Sequence, residues 1–487
     1  MKKIVLIAVG ILLYLVPLQA QNLKVSLDYN TYSTDKLEPY IEFTFIVGGK
    51  SVKYADNGKG YNAEVEFLVE FEKENSMVDS FRYIIVSDSY PDTLPANKMD
   101  FADIVNFKIP NGSYILHFTI RDMHNPKSFI RYMDNIEVFY PEGKIGISGI
   151  RLLSSLSPAS EEDFYVKYGY NMPPAQDHFY HQNMNVLPFV MEVYNTEKMI
   201  GTHQTFLVRS KIESAQNEWI KTPFLLRTAT YETAPISIVV QQFDIGMLPS
   251  GNYNLVVEVL RPDSSVLASG TAFFQRSNPS IELDLTSYES ANISNTFVSK
   301  YSDIKELQGF VASLYPIATP IEQDFFDKRM SKISLDQLQR FFFSFWNKRY
   351  PNNPEEEWLK YNEKVKYVQQ TYGSKLTRGY RTDRGRVYLQ YGPPNTIRES
   401  PYSPTTHPYE IWHYYYLDGQ SNIRFVFYNT DLVSNDYQLL HSNKTGEAKD
   451  PAWQIKLLKG HLPIDNFDEK KPENFWGNDM DDNWDNP

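Results

Sequence analysis

An internal repeat constrains this chain more than any other feature. The segment "IPNGSYILHFTI" (residues 109–120) returns as "LPSGNYNLVVEV" (residues 248–259), with Pro, Gly, Tyr and Leu at the same offsets. Each copy sets a Pro-x-Gly turn before a run with period two, the signature of a strand with one face on a core. The inward row is Tyr114, Leu116, Phe118 and Ile120 in the first copy. In the second it is Tyr253, Leu255, Val257 and Val259. Gly112 and Gly251 are expected to supply positive φ in the turn. The segments "IEFTFIV" (41–47) and "VEFLVEF" (65–71) alternate in the same way, and turn signals such as Asp56-Asn57-Gly58 punctuate them. The pattern predicts two consecutive antiparallel β-sandwich (Ig-like) domains, over residues 21–143 and 144–280, the second opening around Gly146.

After Ser277-Asn278-Pro279 the period changes. Ser334 and Gln337 are spaced as a capping box. Leu335, Leu338, Phe342, Phe345 and Trp346 then recur at helical spacing, one buried stripe. Asn353-Pro354 followed by Glu355, Glu356 and Glu357 is a second helix start, and that helix stops at Gly373. Shorter helices are expected over 303–314 and 321–330. Residues 300–373 therefore read as a helical segment. From Tyr409 strands return: 409–417 and 423–429 flank a turn, and 437–442 adds a third strand. This makes 374–460 a small α+β unit, and 300–460 one C-terminal domain.

The ends and the bulk composition bound the setting. Met1-Lys2-Lys3, an apolar run to Leu18 and Ala20 make residues 1–20 a signal peptide. No cysteine comes after it, so the chain is not itself a lipoprotein, and no second long apolar stretch predicts a transmembrane segment in the mature chain. The expected location is the periplasm or the outer membrane's periphery. With no cysteine at all, disulfides and thiolate chemistry are excluded. The formal charge is −12, and removing the leader's two lysines leaves −14. An acidic chain without a basic block argues against nucleic acid as a partner. Aromatics reach 15%, which suits sandwich cores and also offers platforms for stacking sugars. Residues 461–487 are rich in Asp and Asn and read as a disordered acidic tail, in which Phe475, Trp476 and Trp484 are candidate anchors for a partner.

Motifs for chemistry are sparse. Asp479, Asp481, Asn483 and Asp485 alternate like a calcium loop, but Trp484 stands where glycine is required. His178 and His181, beside Asp177, lack a further ligand and read as loop residues. There is no nucleophile elbow, phosphate-binding loop, dinucleotide fingerprint or zinc-protease motif. No catalytic residue, cofactor or metal site is expected. The densest stretch is "GYRTDRGRVYLQYGPP" (379–394), where Asp383 sits among Arg381, Arg384 and Arg386. Thr382 or Asp383 can cap the next element, and Gly392 with Pro393-Pro394 stops it. Between them "RVYLQY" fits a strand through Val387, Leu389 and Tyr391, or a helical face through Val387 and Tyr391. The charges fit a recognition patch or, the preferred reading, Asp383 capping an element and pairing with a neighbouring arginine.

The run Gly379, Tyr380, Arg381, Thr382, Asp383, then Arg384, Gly385, Arg386, Val387, Tyr388 and Tyr391-Gly392-Pro393-Pro394 resembles the signature of GWxTD-domain proteins. These are exported Gram-negative envelope proteins of uncharacterised function. Upstream "FWNKRYPNNPEEEWLKYNEKVKYVQQTYG" and downstream "YEIWHYYY", "FVFYN" and "DPAW" extend the likeness over about 300–460. Tyr380 stands where the family name has Trp, which keeps an aromatic. The resemblance implies no catalytic residue. It makes Gly379, Tyr380, Thr382, Asp383, Arg384, Gly385, Gly392, Pro393, Pro394 and Trp412 a motif for structure or interaction. A second likeness is to the small lipoprotein of the β-barrel assembly machinery: a capped element ending in Gly-x-Pro, then a strand with Trp412 and Tyr414, then Phe425 and Phe427. That likeness implies a helix over Thr382–Tyr391 and a module that docks onto proteins. The expected function is a non-enzymatic envelope scaffold or accessory subunit, with an outer-membrane assembly or secretion complex as partner. The alternative is a carbohydrate-binding or glycan-processing envelope protein.

Overall fold

The two copies of the repeat begin equivalent strands of two successive sandwiches. The computed structural model describes residues 23–458 and 484, apart from 95–97, 127, 216–222, 290, 404, 432–435 and 451–452. The signal-peptide reading and nearly all of the acidic tail therefore fall outside the described residues. The first sandwich contains β1 (Val25–Ser33), β2 (Pro39–Val47), β3 (Glu64–Lys73), β4 (Ser76–Val86), β5 (Phe101–Lys108), β6 (Gly112–Asp122) and β7 (Phe129–Val138). Its sheets run β1-β2-β5 and β4-β3-β6-β7, all antiparallel. Between them lie Phe43, Phe45, Phe67, Phe71, Leu116 and Phe118, each essentially without exposure. The second sandwich contains β8 (Gly146–Ile147), β9 (Arg151–Leu152), β10 (Val186–Tyr194), β11 (Thr205–Ser214), β12 (Leu225–Glu232), β13 (Ile236–Asp244), β14 (Gly251–Leu260) and β15 (Val266–Arg276). β8 and β9 share the place of one strand beside β10, with β13 on β10's other edge. The opposite sheet runs β12-β11-β14-β15. Strand for strand the two orders agree, and the repeated segments are the equivalent strands β6 and β14.

The repeat's glycines act differently from the expectation. Neither Gly112 nor Gly251 has positive φ. Instead the following tyrosine folds back over the glycine. The Tyr114 hydroxyl donates to the Pro110 carbonyl (2.9 Å) and the Tyr253 hydroxyl to the Pro249 carbonyl (3.0 Å). A Cβ on Gly112 would meet the Tyr114 ring at 3.1 Å, and one on Gly251 the Tyr253 ring at 3.0 Å. The glycine leaves room for a ring rather than supplying a turn angle. A tyrosine at the start of this strand, bonding back to the chain four residues upstream, is the tyrosine corner of Ig-like sandwiches.

The two sandwiches are fastened by a buried layer of charge. The outer faces of β1 and β2 carry Asp28, Asn30, Tyr32 and Glu42, and period-two alternation alone would leave them in water. The second sandwich covers them. Gly149, between β8 and β9, donates its N–H to the Thr31 carbonyl (2.9 Å). Arg151 reaches Glu42 (2.5 Å) and Asp28 (3.6 Å). Lys167, from the 153–185 insertion of the second sandwich, contacts Glu42 (3.2 Å) and Glu192 (3.6 Å) and lies 3.7 Å from the Tyr32 ring centroid. Tyr168 donates to Glu192, as does Tyr194 (2.7 Å), whose hydroxyl also accepts from the Ser33 N–H (3.0 Å). Burial raises the Asp28 carboxyl, but its hydrogen bond to His178 and the charge of Arg151 outweigh that, and the net shift is downward.

Helices α1 (Ile304–Ser313), α2 (Pro320–Lys328), α3 (Leu335–Arg349) and α4 (Pro354–Thr371) follow. The Ser334–Gln337 capping box is formed, and a second, Thr319 with Glu322, starts α2. Asn353 precedes α4, but its side chain donates to Glu357 (3.2 Å) instead of capping. Then come α5 (Asp383–Tyr391) and the antiparallel sheet β16 (Thr396–Ser400), β17 (Tyr409–Leu417), β18 (Gln420–Tyr428) and β19 (Gln438–Ser442), in that spatial order. Positive φ at Asp418 and Gly419 makes the tight β17–β18 turn. One continuous core joins Phe341, Phe345, Trp346 and Trp358 on the helices to Trp412, Phe425 and Phe427 on the sheet. The helical and α+β parts are thus a single folding unit. No helix among the described residues is long and apolar enough to cross a membrane.

Candidate functional site

The 379–394 segment is where the helices cross the sheet, and two glycines set the distance. Gly379–Arg381 form a 3-10 turn against the end of α4. The Gly379 N–H donates to Gln369 Oε1 (2.8 Å). A Cβ on Gly379 would lie 2.4 Å from the Val368 carbonyl oxygen; one on Gly385 would lie 1.9 Å from the Gly379 oxygen and 2.7 Å from Val368 Cγ1. The backbones touch, so neither position has room for a side chain. Thr382 is the cap of α5: its hydroxyl accepts from the Gly385 N–H (3.1 Å) and donates to the Gly379 carbonyl (2.8 Å). The segment that fits strand or helix by its pattern is the helix α5, ended by Gly392 at φ 83°.

Each charge of the motif has its own partner. Asp383 makes no hydrogen-bonded pair with an arginine, contrary to the expectation, although its charge adds to the upward shift of Arg386. Asp383 Oδ2 instead accepts the Leu439 N–H (2.7 Å), fastening α5 to β19. Arg384 is buried; its Nη1 donates to Glu410 Oε1 (2.5 Å), and its guanidinium lies 4.1 Å from the Tyr437 ring centroid and 4.9 Å from that of Tyr372. Trp412 Nε1 donates to the other Glu410 oxygen (3.0 Å). Burial pushes the Glu410 carboxyl up, against the pull of Arg384. Arg386 grips Glu447 with both terminal nitrogens (2.8 and 2.7 Å), and the Tyr391 hydroxyl donates to the same carboxylate (2.7 Å). Burial works against the Arg386 charge, but Glu447 outweighs it and the net shift is upward. Arg381 reaches Asp327 (3.0 Å) across the Tyr315 ring. Tyr380 packs half-buried on the core. The Gly392 carbonyl accepts from the Tyr414 hydroxyl (2.9 Å). Pro393 is exposed and, with Pro394, leads into β16.

The motif residues are therefore gathered around one helix–sheet crossing, together with partners that the sequence did not advertise. Glu447 and Gln369 carry no local signal. Glu410 does: strand alternation places it on the face of Trp412 and Tyr414, and an inward carboxylate among aromatics demands a cation. Other candidates fall apart. His178 pairs with Asp28 (3.7 Å) in the sandwich junction. Among the described residues no group of three or more His, Asp or Glu could hold a metal. The acidic run 479–485 lies outside them except for Trp484. A cavity of about 160 Å³ opens between the second sandwich and the helices, lined by Phe224, Tyr253, Leu283, Tyr288, Ile321 and Glu322 among others. It is largely apolar and shares none of its lining residues with the motif.

The chain carries a GWxTD domain over residues 281–454. The match starts upstream of the quoted motifs and takes in Leu283 and Tyr288, which pack on the helical core. No curated protein matches the chain. Among solved structures it is similar to a red sea bream transglutaminase (10% identity, 52% of this chain and 31% of that one, TM-score 0.18). It is also similar to fibronectin(III)-like modules of Clostridium thermocellum CbhA (11% identity, 50% and 89%, TM-score 0.15). The chain spans about a third of the transglutaminase's length. At these scores the sandwich architecture rests on the chain's own strand order.

Proposed function

We propose that this is an exported, non-enzymatic envelope protein that serves as a scaffold or accessory subunit, with the C-terminal GWxTD domain as its interaction module. The observation that carries the reading is the buried ionic junction between the sandwiches. Arg151 and Lys167 with Glu42, Glu192 and Asp28 fix the two domains to each other, which suits a spacer rather than a jointed pair of binding modules. Outer-membrane protein assembly or secretion is the favoured setting. Its support is the likeness of helix, Gly-x-Pro, strand and hairpin to the small lipoprotein of the β-barrel assembly machinery, a likeness of element order alone. The test is affinity purification from crosslinked native membranes with mass spectrometry of the co-purifying proteins. An envelope complex is expected; a clean monomer without partners sinks the reading.

A further inference from the structure

The C-terminal sheet is apolar on both faces. Helix α5 closes the inner one. The outer one presents Tyr409, Ile411, Val426 and Leu440, and a short helix α6 (Trp453–Leu457) covers part of it. The place beside α6 is taken by Trp484, from the end of the chain. Trp484 is only 7% exposed. Its ring centroid lies 5.1 Å from that of Trp453 and 5.4 Å from that of His441, with the Arg424 guanidinium at 5.1 Å. The register adds charge to this seat. Arg398 pairs with Ile411 and Arg424 with His413, so both arginines stand on the outer face. In the sequence Trp484 is flanked by Asp481, Asp482 and Asp485.

We propose that this outer face is a docking seat for an acidic peptide presenting a tryptophan. The chain's own Trp484 is the tethered occupant, and an acidic, Trp-bearing segment of a partner protein is the ligand that displaces it. An indole held between aromatic rings and a guanidinium is the large anchor, with cation–π attraction, that dominates peptide interfaces. Neighbouring carboxylates match Arg398 and Arg424, and a basic peptide meets repulsion there. Trp484 belongs to the same chain as its seat, so its binding is intramolecular and a free ligand must compete with it. A partner must therefore bind more tightly than the tail or at several points, which keeps the seat shut against casual ligands.

This inference rests on the C-terminal domain being an interaction module. It is tested by titrating a fluorescent peptide of residues 479–487 onto full-length wild-type and Trp484→Ala protein. The variant is expected to bind at least about tenfold more tightly, since its tether no longer competes. A peptide with Ala for Trp should not bind, and adding Arg398→Glu to the variant should weaken binding. Charge reversal of Asp481, Asp482 and Asp485 to Lys keeps the indole and should also open the seat, which guards against a fold defect in Trp484→Ala. Equal affinity for wild type and both opened variants, with all of them folded, overturns the proposal. A wild-type dimer that Trp484→Ala dissolves overturns the tether, because a second copy then supplies the indole. Failure here with envelope partners still captured removes the seat alone; absence of captured partners removes the module reading.

Discussion

Two of the buried ionic assemblies among the described residues differ in how far the sequence shows them. At the helix–sheet crossing, Arg384 and Arg386 meet Glu410 and Glu447, and the arginines sit in a dense stretch beside the glycines that shape it. At the sandwich junction, Asp28, Glu42, Arg151, Lys167 and Glu192 converge from positions scattered over more than 160 residues. The chemistry is the same. The difference is that α5 must carry its charges on one short helix, whereas the junction draws single residues from several strands and an insertion. Density along the chain reports how local an assembly is, not how much stability it contributes.

The largest effect should come from the assembly that the sequence hides. Arg151→Met would leave Glu42 and Asp28 buried without their main cation. Removing one partner of a buried pair costs about 3–5 kcal/mol. The urea midpoint should fall accordingly. A double change that replaces Arg151 and Glu42 by apolar residues should recover much of the loss, because the uncompensated charge then disappears. If Arg151→Met leaves the midpoint unchanged, the junction is ornamental and the rigid spacer falls with it.

At the crossing the corresponding break is steric. Gly385→Ala gains about 1 kcal/mol in helix propensity. It also forces a methyl to 1.9 Å from the Gly379 oxygen, a clash that must part α4 from α5 and costs about 3 kcal/mol net. Gly112→Ala is the milder comparison, since its methyl meets a side-chain ring at 3.1 Å rather than a backbone oxygen at 1.9 Å. A Gly385→Ala protein as stable as wild type would mean that the crossing has slack.

Acid should separate the two regions. Burial, with Lys449 adding to it, lowers the His441 imidazole to about 4. A histidine kept neutral in the fold contributes stability above its unfolded pKa of 6.5, and that contribution is lost as pH falls toward 4. The loss is about 3 kcal/mol. Glu410, shifted upward, works in the opposite sense and offsets part of it. Asp28 is lowered below 3.8, so its contribution persists until more acid conditions. The C-terminal domain should therefore loosen between pH 6.5 and 4 and the junction only below that. In His441→Gln the thermal midpoint should vary less over the upper window. An unchanged profile would remove His441 as the cause.

Legibility in the sequence divides along the same line. Period-two alternation and the repeat disclose both sandwiches, because each buried row is written in consecutive positions. Helix starts are legible at Ser334 and Pro354 because a capping box, and a first-turn proline followed by acids, are local signals. The fate of Glu42 is not, since alternation assigns it to solvent and only another domain's surface reverses that. The β16 strand, "TIRES", has no apolar row and is a strand because β17 pairs with it. Trp484 reads as a candidate anchor in an acidic tail, but not where it docks, for its seat is built from four other segments. At the repeat the pattern is right and its expected cause is wrong: glycine before tyrosine signals a ring folded back, not a positive φ.

The smallest prediction bears on how the motif itself works. Thr382 uses one hydroxyl twice, accepting from Gly385 and donating to Gly379. Loss of a cap costs about 1 kcal/mol, so Thr382→Ala should lower the melting temperature modestly, while Thr382→Ser should retain nearly all of it. Asp383→Ala should cost a similar amount by orphaning the Leu439 N–H. The two deletions act at opposite ends of a link from α4 through α5 to β19. If that link is one mechanical unit, the double variant should lose less than the two single losses added together. Strict additivity would mean that the cap and the tie are independent, and that the motif is a cluster of neighbours rather than a device.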